Sequence, residues 1–93
     1  MTMLHAQPYD LAAAGFYFES AEDYAQRAAS LRNDYGQPVE EFEIQFIDGE
    51  RLDAELFEAL KVGQSDIGAY FEAVENWSDD QKVRAVIAIG EVG

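Results

Sequence analysis

The chain has 93 residues and no cysteine; 48% of its side chains are hydrophobic and 13% aromatic, enough core for one small folded unit and too much for a disordered acidic tail. Nineteen acids against six bases give a net charge of −13, so direct binding to nucleic acid or to an anionic membrane surface is not expected, because both need clustered Lys and Arg. The lack of Cys excludes disulfides, thiolate nucleophiles and Cys-based zinc sites.

Leu4–Tyr9 is a weak strand candidate that ends in the turn chemistry of Pro8 and Asp10. At 15–19, GFYFE alternates Phe16 and Phe18 against Tyr17 and Glu19, as a half-buried strand does. Ser20 then caps a helix, with Glu22 and Asp23 in the first turn where the helix dipole favours negative charge. Spacings of i, i+4, i+7 and i+11 place Tyr24, Ala28, Leu31 and Tyr35 on one face, and Gly36 and Pro38 stop the helix. Val39–Asp48 alternates again, with Phe42, Ile44 and Phe46 on one side and Glu41, Glu43 and Gln45 on the other.

After the Asp48-Gly49 turn the period changes. Leu52, Leu56, Phe57 and Leu60 predict a short helix broken at Lys61-Val62-Gly63. Ser65 is the expected cap of a second, with Ile67, Tyr70, Phe71, Val74 and Trp77 as its apolar face. Ser78 caps a third, with Asp79 and Asp80 in its first turn, Val83, Val86 and Ile87 facing inward, and Gly90 and Gly93 at its end. The expected fold is α+β: an antiparallel sheet of about three strands on one helix over residues 1–48, then an acidic bundle of about three helices over 49–93. No apolar run approaches the ~18 residues of a membrane span, and the start MTMLHAQPYD lacks a signal-peptide pattern, so a cytoplasmic protein is expected.

The charge is concentrated. Residues 40–80 hold thirteen acids (Glu40, Glu41, Glu43, Asp48, Glu50, Asp53, Glu55, Glu58, Asp66, Glu72, Glu75, Asp79 and Asp80) and two bases, a net of −11. A calcium loop needs acids at positions 1, 3 and 5 and Gly at 6, whereas the run from Asp48 is D-G-E-R-L; no metal site is expected. His5 is the single imidazole, no G-x-S-x-G elbow or phosphate loop occurs, and neither an enzyme nor a cofactor is expected. Solvated faces explain each acid taken alone. They do not explain the missing counter-charge, since like charges at i, i+2 on a strand or i, i+4 on a helix cost stability. A use for the negative field follows, with a basic partner as the permitted class. One such use is imitation of the duplex, which presents about one charge per ~1.7 Å to basic grooves.

The stretches GFYF at 15–18, SAEDY at 20–24 and VEEFEIQFID at 39–48 resemble the ArdA antirestriction proteins, as do DAELFEAL at 53–60 and IGAYFEAVENW at 67–77. The resemblance covers about Leu4 to Trp77, the first two domains of that family. It implies a sheet-plus-helix domain followed by a helical bundle. It also implies a DNA mimic that occupies the DNA-binding groove of type I restriction–modification enzymes. The acids carried over are Glu40, Glu41, Glu43 and Asp48, with Glu55, Glu58, Glu72 and Glu75 behind them; none has a catalytic role in the family. The family's third domain, which contributes to dimerisation, has no counterpart before Gly93, which leaves a homodimer, the length of DNA imitated and the strength of inhibition open. An acidic module for an unrelated basic protein is the alternative, and competition with duplex DNA separates the two.

Overall fold

The computed structural model describes residues 2–92. Three strands, β1 (Met3–Pro8), β2 (Phe16–Phe18) and β3 (Phe42–Asp48), and four helices, α1 (Ala21–Ser30), α2 (Arg51–Leu60), α3 (Ile67–Asn76) and α4 (Asp79–Val92), make an α+β fold. The sheet is antiparallel in the order β2-β1-β3, so the strand with the weakest sequence signal is the central one. Its apolar side chains are small, yet Leu4 lies opposite Phe18 and Phe46, and Ala6 opposite Phe16 and Ile44. Aromatic neighbours on both sides supply the apolar surface that β1 lacks.

Leu4, Ala6, Phe18, Phe42 and Ile44 face one side of the sheet and are buried there. From α1, Tyr24 meets the Phe16, Phe18 and Phe42 rings at centroid separations of 5.0–6.0 Å. From the second half of the chain, Phe57 meets Phe46 at 5.9 Å and Phe71 meets Phe18 at 6.1 Å. The turn at residues 48–49 is therefore a change of secondary structure, and apolar packing runs across it. Gly49 suits the turn because its φ of +155° is one that other residues rarely adopt, and a Cβ would stand 3.0 Å from the Phe46 ring and 3.3 Å from the Thr2 backbone.

Helix ends depart from the expectations in three places. First, α1 stops at Ser30 instead of running to Gly36, and Tyr35 is exposed. The Ser30 hydroxyl donates back to the Gln26 carbonyl, and the Asn33 carboxamide oxygen accepts from the N–H groups of Tyr35 and Gln37 at 2.9 and 3.0 Å. These local bonds offer the backbone an alternative to the helix. Second, Asp66, not Ser65, precedes α3, and its carboxylate accepts from the Gly63 N–H. Third, α4 passes through Gly90 to Val92; Gly93 lies outside the described residues. Ser20 and Ser78 behave as expected: Ser20 Oγ accepts from the Asp23 N–H, and Ser78 and Gln81 cap one another reciprocally.

The largest correction concerns α4. Lys82 points inward, 5% exposed, while Val83 and Ile87 are turned out. Its ammonium lies 2.9 Å from a carboxylate oxygen of Asp53, itself 5% exposed, on α2. The Asp53 carboxylate also accepts from the Thr2 hydroxyl, and the Asp53 carbonyl from the Tyr70 hydroxyl at 2.8 Å. A buried charge is tolerated only when paired and hydrogen-bonded, and this cluster satisfies each of its groups.

Lys82→Met leaves the Asp53 carboxylate buried without its counter-ion and should cost about 3–5 kcal/mol in urea unfolding, while Lys82→Met with Asp53→Leu should recover most of that loss. Burial, with the Asp53 charge beside it, holds the Tyr70 phenol well above its ordinary value of 10. Stability from this residue is complete below pH ~10 and falls as pH rises further, because the unfolded phenol then releases a proton that the folded one keeps. Tyr70→Phe should cost about 1 kcal/mol at neutral pH and flatten the alkaline loss, both measurable in denaturant titrations.

Candidate functional site

The acids expected at a partner surface divide by environment. Asp53 is removed from the set, because it is buried and neutralised by Lys82. The other twelve of residues 40–80 are exposed. Two are paired within their own helix, Glu55 with Arg51 at 3.2 Å and Asp80 with Arg84 at 3.1 Å. Two accept from backbone N–H groups, Asp48 from Gly49 and Asp66 from Gly63. Among the described residues Glu40, Glu41, Glu43, Glu50, Glu58, Glu72, Glu75 and Asp79 have no ion-pair partner.

Local structure holds these carboxylates in place. Glu43 lies on β3 between the buried Phe42 and Ile44, so the alternation of the strand turns it to the open side of the sheet. Glu40 and Glu41 precede the strand and are fastened through their backbone. The Gln64 amide donates to the Glu40 carbonyl while its oxygen accepts from the Phe42 N–H, both at 2.8 Å. The Tyr9 N–H donates to the Glu41 carbonyl. One glutamine thus ties the acidic segment to the loop between α2 and α3.

Two surface depressions show which acids come together. Glu50 and Glu75 border a cavity of about 220 Å³ with Glu19, a residue absent from the expected set, and Asp53 lies in its wall. Glu43 and Glu58 border a second, of about 300 Å³, together with Tyr9 and Lys61. Glu19 follows the GFYF strand directly on the wet side of its alternation, the signal by which it was legible. No sequence feature marks Lys82, since its partner is twenty-nine residues away.

His5 sits on the central strand, half-buried, facing the side opposite the core. Its Nδ1 lies 3.0 Å from Gln45 Oε1 and its ring 4.7 Å from that of Tyr17. Among the described residues no group of three or more His, Asp or Glu side chains is placed to hold a metal ion. No described helix is long and apolar enough to cross a membrane. No family model, curated protein or solved structure matches the chain.

A surface with this much unpaired like charge repels itself, and screening weakens that repulsion. Raising NaCl from about 0.02 to about 0.5 M should lift the melting temperature by a few degrees. Glu41→Gln with Glu43→Gln should leave stability unchanged or raise it at low salt, with the difference shrinking at high salt. A melting temperature that falls as salt is added would show the surface to be charge-balanced.

Proposed function

We propose that this protein is a DNA mimic that inhibits type I restriction–modification enzymes by occupying their DNA-binding groove. The observation that carries the reading is the set of twelve exposed carboxylates in residues 40–80, most of them without counter-charge. The shape supports it. The molecule extends 46 × 25 × 18 Å, with a radius of gyration of 14.3 Å against roughly 12 Å for a compact chain of this length. A duplex segment 46 Å long carries roughly 27 phosphates at one per ~1.7 Å, and the chain as a whole carries nineteen acids against six bases, a net charge of −13. The sequence resemblance to antirestriction proteins points the same way.

The mechanism requires no bond to form or break. A groove lined by Lys and Arg binds DNA largely through the release of condensed counterions. A protein that presents carboxylates at comparable density draws on the same attraction and excludes DNA by occupancy. Because Glu43 lies on a strand, Glu58, Glu72 and Glu75 on helices, and Glu40 and Glu41 in a segment held by Gln64, little backbone entropy is lost on docking, and the cost of ordering falls on the side chains alone. Glu40, Glu41, Glu43 and Asp48 form the leading contact group, with Glu55, Glu58, Glu72 and Glu75 extending it.

The test is cleavage of unmodified DNA by a type I enzyme at low salt in the presence of the purified protein. Cleavage should be suppressed at modest excess, and the suppression should weaken as salt rises. A variant with Glu40, Glu41, Glu43 and Asp48 changed to Lys should remain folded by circular dichroism and lose inhibition by at least about tenfold. Full cleavage at large excess of the unchanged protein contradicts the reading.

A further inference from the structure

Imitation of a phosphate backbone has no use for exposed aliphatic side chains, yet α4 displays them. Val83 is 41% and Ile87 55% exposed. At ~100° per residue, Val86, Val83 and Ile87 follow one another around a single side of the helix, beginning beside the inward-facing Lys82. Half-buried Val86 also lines a shallow groove of about 470 Å³ between α4 and α2. On the α2 side the groove is walled by Ala54 and Ala59, small enough for another element to approach closely, and by the exposed carboxylates Glu55 and Glu58. Its one base, Arg51, is already held by Glu55.

We propose that this groove and the adjoining Val83–Ile87 strip form a docking site for an amphipathic helix with basic flanks, supplied by a partner protein. Two helices of 10 and 14 residues border the groove, and a helix seats in such a trough through apolar anchors at i, i+3, i+4 and i+7. The acidic rim selects Lys and Arg beside those anchors. Charge also argues against a second copy of the chain as occupant: a two-fold contact sets each patch against itself. One acidic rim would then face another between two molecules of net charge −13 each. The inference shares Glu55 and Glu58 with the proposed antirestriction surface, but it rests on the apolar strip of α4, which that reading does not use.

The probe is a synthetic helix of about 14 residues (~21 Å) with leucines on one face and lysines elsewhere. A control of identical composition has the leucines scattered around the helix. Each is titrated into the isotope-labelled full chain at moderate salt. The segregated peptide should bind about tenfold tighter than the scrambled one, with amide shifts concentrated on α2 and α4. Val83→Glu with Ile87→Glu, both at exposed positions, should abolish that advantage while circular dichroism stays unchanged. The double variant adds two negative charges, which by charge alone would tighten a basic peptide, so a loss of affinity isolates the apolar contact. Equal affinity of the two peptides, shifts centred elsewhere, or an unaffected double variant would overturn the proposal. Sedimentation showing a dimer that the double variant dissolves would overturn it in favour of a second copy.

Discussion

The ion pair between Asp53 and Lys82 decides how the second half of the molecule is arranged. At 2.9 Å and out of contact with water, it fixes which face of α4 meets α2. Rotating α4 to bury Val83 and Ile87 would bring Lys82 to the surface and leave Asp53 uncompensated inside, a several-kcal/mol penalty that aliphatic burial at ~25 cal/mol per Å² does not readily offset. The same cluster reaches further. Tyr70 connects it to α3 through the Asp53 carbonyl, and Thr2 connects it to the residue preceding β1. One charge inside the molecule thus aligns elements from both ends of the chain.

The remaining acids follow the opposite rule and are turned outward. What compensates for their mutual repulsion is an aromatic core continuous from sheet to helices: Tyr24, Phe16, Phe18 and Phe42 on one side, and Phe46, Phe57, Tyr70 and Phe71 on the other. Tilted and edge-on ring pairs contribute beyond their buried area. Charge outside and rings inside divide the work cleanly along β3, where Phe42 and Ile44 are buried and Glu43 between them is exposed. β3 is also an edge of the sheet, and its acidic flank together with the Gln64 clasp discourages pairing with another chain.

Legibility in the sequence tracked the range of the interaction. Alternation revealed β2 and β3, and Ser20 and Ser78 marked helix starts, because these signals lie within a few residues. β1 was faint because its burial is created by neighbours in space, with Leu4 between Phe18 and Phe46 and Ala6 between Phe16 and Ile44 of two other strands. The end of α1 was misplaced because an apolar spacing extending to Tyr35 competes with side-chain bonds at Ser30 and Asn33 that periodicity does not register. The face of α4 was misassigned because a lysine reads as polar until its buried partner is known. Among the acids, Asp53 lies in the core, Asp66 closes the loop before α3 through the Gly63 N–H, and Glu19, outside the thirteen named, borders a depression with Glu50 and Glu75.

The proposed function rests on an unbalanced negative surface carried by an elongated body. The most direct measurement is equilibrium competition: a fluorescent duplex bound to a type I restriction–modification enzyme, titrated with the protein and followed by anisotropy at several salt concentrations. Mutually exclusive binding is predicted, with the duplex fully released and the affinity of the protein falling with salt in parallel with that of the DNA. A ternary complex in which the duplex remains bound while the protein docks elsewhere would contradict DNA mimicry.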